Sequence, residues 1–266
     1  AFKDVLLAIT TYPAPTPADA VEDAVEFAAA LGATISAVAC EVKLHAPGSV
    51  LGNVLLDVPA LVAAERKKSA TNAQELLAKF QQCAERRGVF QDRIFDHCSI
   101  SEVGPLLAEY ARFRDLTIVP AARAGASNAS FAESIVFGSG RPTLVMPSAP
   151  RRDKRMAPDT VVVAWDFSQP AARALADSLA ILEKAKRVYV VTVTHEKVIH
   201  TRRSVAELAT HLARHGVDAI PEVVDSAGRS IGQSLQSCVE SRDADVLVMG
   251  AFGHSRLREF VLGGAS

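Results

Sequence analysis

The second half of this chain restarts the pattern of the first, and that restart constrains the architecture more than any single motif. Glu85-Arg86-Arg87-Gly88-Val89 parallels Ala213-Arg214-His215-Gly216-Val217 at an offset of 128 residues (213 − 85), and Val103-Gly104-Pro105-Leu106-Leu107 parallels Ile231-Gly232-Gln233-Ser234-Leu235 at the same offset. Arg114-Asp115-Leu116-Thr117-Ile118-Val119 parallels Ala244-Asp245-Val246-Leu247-Val248-Met249 at 130 (244 − 114). Segments that match in order at a nearly constant spacing are copies of one structural unit. Two copies in 266 residues also fit the size at which chains divide into domains.

Each copy alternates short apolar runs with helical periodicity. In the first half strands are expected over residues 5–9, 34–42, 89–97, 116–119 and 143–146. The intervening helices run from Thr16-Pro17, as N-cap and first-turn proline, to Leu31-Gly32, then over residues 61–87, 103–113 and about 131–137. Residues 43–58 include Val50, Leu51, Val54, Leu55 and Leu56, which suggests a folded-down insertion. Arg151-Arg152-Asp153-Lys154-Arg155, framed by Pro150 and Pro158, reads as a solvated interdomain linker. The domains are therefore expected at 1–150 and 156–266. The second half has strands over 160–164, 188–193, 219–224 and 246–249, with helices opening at Ser168 and Pro170 and covering 204–215 and 231–241. Strand and helix in alternation predict an α/β class with parallel, doubly wound sheets and right-handed crossovers. By the repeat, a further helix and a fifth strand are expected beyond Ser266.

Charge and cysteines narrow the function. A formal charge of −1 and a pI near 6.7 give no basic field for nucleic acid or an anionic membrane. Cys40, Cys83, Cys98 and Cys238 form no C-x-x-C pair, so buried free thiols in a reducing compartment are expected. No apolar run approaches the roughly 20 residues of a membrane span, and no leader pattern opens the sequence; a cytoplasmic location is the expectation. His195, His200, His211 and His215 lack partners at metal-ligand spacing.

The chemistry concentrates at the end of the second copy. Val246-Leu247-Val248-Met249 stops at Gly250, and Gly250, Gly253 and Gly263 follow at G-x2-G-x9-G spacing. Glycines just past a strand let backbone N–H groups approach an anion, and a following helix adds its dipole. His254, Arg256 and Arg258 follow within reach of a bound phosphate; loop or helix-surface positions are the plainer reading for each. In the first copy Pro120 stands opposite Gly250, Arg123 opposite Gly253 and Thr10 opposite Asp166. Proline offers no N–H and arginine does not take positive φ cheaply, so only the second copy is expected to bind a nucleotide. Gly228-Arg-Ser-Ile-Gly232-Gln-Ser lacks the lysine of a Walker loop and is set aside. Trp165 is read as packing.

These features resemble the universal stress protein family in its tandem, two-domain form; the glycine spacing is similar to that family's ATP-binding signature. The resemblance implies two Rossmann-like (adenine nucleotide alpha hydrolase-like) domains, each with a parallel sheet of order 3-2-1-4-5, and a nucleotide at the carboxyl ends of the strands. Carried over by position, it implies that Asp166 faces the adenosine, Val193 lies beside the base and Gly250 against the ribose. Gly253, Gly263, Gly264 and Ser266 would cradle the phosphates, Gly264 standing where the family has Ser or Thr.

The expected ligand is ATP, ADP or AMP, with magnesium as the accompanying ion. The expected role is a cytosolic, non-catalytic stress-response switch whose first domain is a degenerate partner, with pairing of the two domains, a homodimer, and no nucleic-acid or membrane partner. A ligand-free interaction module and a weak ATP-hydrolysing enzyme are the alternatives. The enzyme lacks an evident base, a loop lysine or a carboxylate cluster for magnesium.

Overall fold

The computed structural model describes residues 1–44, 58–121, 129–147, 157–195 and 201–251. The chain divides into two compact units, Phe2–Lys154 and Arg155–Ser266, the latter with Ala1. In the first unit the order is β1 (Asp4–Ile9), α1 (Ala18–Leu31), β2 (Thr34–Lys43), α2 (Val58–Arg87), β3 (Phe90–Ser99), α3 (Val103–Arg112), β4 (Leu116–Pro120), α4 (Ala129–Gly138) and β5 (Thr143–Met146). Its sheet is parallel throughout and ordered β3-β2-β1-β4-β5.

The second unit follows the same plan with β6 (Thr160–Ala164), α5 (Gln169–Leu182), β7 (Arg187–Thr194), α6 (Val205–Ala213), β8 (Ala219–Asp225), α7 (Ile231–Ser241) and β9 (Val246–Val248). Among the described residues its sheet has four parallel strands ordered β8-β7-β6-β9. This is the order 3-2-1-4 of the first sheet. The predicted α/β fold with two parallel sheets is therefore the one observed.

Burial explains which runs became central. β1 and β4 carry helices on both faces, and from Val5 to Ile9 and Leu116 to Pro120 every residue is buried. Continuous Val, Leu and Ile runs are what a strand covered on both sides requires. The edge strands β3 and β8 instead carry Gln91, Asp92, Arg93 and Glu222, with most positions open. On one face of the first sheet Leu6, Val38, Val42 and Val119 pack with Leu107, Phe131 and Ile135 of α3 and α4. Burying a side chain of that size contributes about 1.5–3 kcal/mol.

The matched aspartates of the repeat do matching work. Asp115 Oδ2 accepts from the Lys3 and Asp4 N–H groups at 2.8 and 3.1 Å, and Asp245 Oδ2 accepts from Thr160 N–H at 2.9 Å. Each carboxylate pins the start of its unit's first strand to the start of the fourth. Gly32, Gly88 and Gly216, with φ of 69°, 68° and 74°, close their helices where left-handed backbone favours glycine.

Several boundaries move. The helix expected from residue 61 begins at Val58, and β3 runs on to Ser99. Pro17, not Thr16, occupies the N-cap position of α1, with no side-chain cap. Thr16 Oγ1 instead accepts from the Thr10 N–H at 2.9 Å, because the turn after β1 needs that partner more than the solvent-facing helix end does. The candidate insertion at 45–57 lies outside the described residues. No helix among the described residues is long and apolar enough to cross a membrane.

Candidate functional site

In an open α/β sheet the crevice lies outside the carboxyl ends of the strands, where the chain switches from building one side of the sheet to the other. In the second unit that place is between β6 and β9. Val163 pairs with Val248 and Ala164 with Val191, so Asp166, Val193 and Gly250 come to the carboxyl ends of three neighbouring strands.

Each of these residues has a defined local role. Trp165 N–H donates to Val191 O at 2.8 Å and Thr192 Oγ1 donates to Trp165 O at 2.9 Å, extending the β6–β7 pairing one step past Ala164. The chain then turns: Asp166 Oδ1 accepts from Ser168 N–H at 3.0 Å, and Phe167 sits at φ 61°. Ser168 caps α5 by accepting from Ala171 N–H at 3.3 Å, with a proline in the first turn, as the Ser168–Pro170 pattern predicts. Trp165 Nε1 is buried with no hydrogen-bond partner. Val193 is buried beneath α7 with Val162, Val191, Leu235 and Cys238.

Gly250 lies against the first turn of α5, where an added Cβ would meet the Pro170 carbonyl carbon at 2.6 Å. The amino end of α5 is thus occupied by its own serine and by the backbone leaving β9. Gly253, His254, Arg256, Gly263, Gly264 and Ser266 lie outside the described residues.

Sequence reasoning passed over the neighbouring rim. His195, directly after β7, has φ 66°, and Ala227, two residues after β8, has φ 50°. With Phe167, a non-glycine residue in left-handed backbone follows each of β6, β7 and β8. Such conformations cost about 1–3 kcal/mol each and cluster at functional rims. His195 Nδ1 lies 3.3 Å from Asp225 Oδ2, and Asp225 Oδ1 accepts from Ala227 N–H at 2.8 Å. The Ala227 N–H, against the opposing effect of burial and aided by the charge and hydrogen bond of His195, holds the Asp225 carboxyl below the usual range. The sequence signal was a histidine placed at the end of the second strand, weighed only as a metal ligand. Among the described residues no group of three or more His, Cys, Asp or Glu could hold a metal ion. All four cysteines are free and buried.

In the first unit the residues that follow β1 are bonded to their own turn, to β2 and to α2. Thr10 Oγ1 lies 3.0 Å from Thr16 Oγ1, and Thr11 Oγ1 donates to Cys40 O at 2.6 Å. Ser69, from the long α2, lies 2.9 Å from Thr11 Oγ1 and accepts from Val42 N–H at 3.0 Å, while Asn72 Nδ2 donates to Thr11 O at 3.1 Å. Thr10, Thr11, Thr16 and Ser69 are all buried.

Among solved structures the chain is similar to a universal stress protein from Archaeoglobus fulgidus DSM 4304, with a TM-score of 0.61 at 15% identity over 92% of this chain and 86% of that one. It is also similar to a functionally unknown protein from Pseudomonas aeruginosa PAO1, with a TM-score of 0.53 at 14% identity over 98% of this chain and 89% of that one. These likenesses extend over both units and show a shared fold, that of the universal stress proteins. No protein-family model and no curated protein matches the chain.

Proposed function

We propose that the chain is a tandem stress-response protein of the cytoplasm whose second unit binds an adenine nucleotide and whose first unit is a non-binding partner. The observation that carries the reading is the contrast between the two switch points. In the second unit Asp166 and Gly250 stand at the carboxyl ends of the adjacent strands β6 and β9, and the glycine loop follows in the sequence. In the first, Thr16, Ser69 and Asn72 already satisfy the polar groups of Thr10 and Thr11.

In this reading Asp166 meets the adenosine, and Gly253, Gly263, Gly264 and Ser266 meet the phosphates, with His254 and Arg256 beside them. Val193 supports the pocket from within the core. Magnesium, where present, accompanies the phosphates of ATP. Nucleotide binding orders the loop and biases partner contacts without turnover, since a ligand shifts an equilibrium by preferring one state.

Calorimetric titration of the full chain with ATP, ADP and AMP tests this. Wild type is expected to bind at least one of them and a Gly253→Arg variant none. Absence of binding by wild type would leave the interaction-module reading in its place.

A further inference from the structure

The base of the first unit carries an aromatic and basic patch that the nucleotide reading does not use. Phe113, at the carboxyl end of α3, is 78% exposed, and Phe137, at the end of α4, is 40% exposed. The two helix ends are tied together. Arg112 Nε donates to Gly138 O at 3.2 Å, and Arg141 Nε donates to Arg112 O at 3.2 Å. The helix ends that carry Phe113 and Phe137 are thus joined, with Arg112 and Arg141 at the junction.

Its charge is unbalanced. Arg114 is neutralised by Asp4, whose Oδ1 lies 3.3 Å from Nε, but among the described residues neither Arg112 nor Arg141 has a carboxylate partner. Each of these two guanidinium groups uses Nε to hold a helix carbonyl. Both side chains are exposed. Arginine so anchored loses little freedom on pairing with a carboxylate, and aromatic residues and arginine are the composition enriched at the energetic centre of interfaces.

We propose that this surface docks an acidic peptide segment of a partner protein that carries an apolar anchor. The anchor packs on Phe113 while flanking carboxylates pair with Arg112 and Arg141. A nucleic acid fits less well, because it needs a wider basic field than two arginines supply and the chain as a whole carries a formal charge of −1.

The test uses the full chain and a synthetic peptide of glutamates flanking a Phe-Leu pair, followed by fluorescence anisotropy, with a lysine-for-glutamate peptide and a thymidine oligonucleotide as the other probes. Wild type is expected to bind the acidic peptide alone, more weakly at high salt. Phe113→Ser is expected to weaken it by about tenfold or more with unchanged circular dichroism and melting, and Arg141→Gln, which also gives up the bond to Arg112 O, to weaken it likewise with unchanged circular dichroism. Absence of binding to the acidic peptide, equal binding by Phe113→Ser, or preference for the oligonucleotide would overturn the proposal.

Discussion

Gly250 and Pro170 stand so close that any side chain at residue 250 would collide with the backbone of α5: an added Cβ would lie 2.6 Å from the Pro170 carbonyl carbon and 2.7 Å from the Ala171 nitrogen. Neither atom can swing aside as a side-chain tip could. Gly250→Ala is therefore expected to destabilise the second unit by about 1–3 kcal/mol, the ordinary cost of overpacking. Trp165 is the chain's only tryptophan, so urea unfolding followed by its fluorescence reports this unit. An unchanged midpoint would show that the contact relaxes freely. It follows that loss of ligand by a Gly250 variant does not by itself establish contact with the ligand, whereas loss by Gly253→Arg with an unchanged unfolding midpoint does.

In the first unit the buried hydroxyl of Ser69 serves both the Thr11 hydroxyl and the Val42 N–H. Ser69→Ala removes little volume but leaves the buried Val42 N–H without its 3.0 Å partner. A stranded buried donor costs about 1–3 kcal/mol. Chemical denaturation followed by far-ultraviolet circular dichroism should show a loss of that size; a neutral result would mean that water takes the place of the hydroxyl.

Acid should loosen the hold of α2 on the sheet. Glu41 joins Arg66 of α2 to His97 of β3, and the hydrogen bond from Arg66, aided by the charges of Arg66 and His97 against the opposing effect of burial, holds its carboxyl below the usual range. A depressed carboxyl contributes stability that is complete above its unfolded value of about 4.3 and is lost as pH falls through the folded value. Glu41→Gln should flatten the acid limb of the stability profile. Parallel limbs for the two proteins would show that Glu41 contributes nothing to acid sensitivity.

At the alkaline end Tyr110 has the opposite sign. Burial first, and then its 2.8 Å hydrogen bond to Asp96 Oδ2, raise the phenol to about 12. The folded state thus favours the neutral form. Its contribution is complete below the unfolded value of about 10 and is lost as pH rises from there through the folded value. Ultraviolet titration should show Tyr110 ionising late, and Tyr110→Phe should remove that step.

Much of the fold was legible because the information is local and periodic. The apolar runs at Val5 and Val161, the serine-proline start at Ser168 and the terminal glycines Gly32, Gly88 and Gly216 each dictate structure through nearest neighbours. The matched Asp115 and Asp245 were visible as part of the repeat, although their shared task of pinning two strand starts was not. Thr16 misled for a related reason: its sequence neighbours describe a helix cap, while the partner it takes is the Thr10 N–H across a turn.

The sequence by itself determined that this chain makes two α/β units, that their strands run parallel, and that the glycines gather after the fourth strand of the second. Periodicity and repeated order suffice for that, since they act along the chain. Only the tertiary structure decided that Ser69 and Asn72 of α2 bond to Thr11 after β1, that Gly250 is committed to packing on Pro170, and that His195 stands beside Asp225. Those outcomes depend on hydrogen-bond partners and close approaches between residues up to 80 positions apart (250 − 170), which no local pattern encodes.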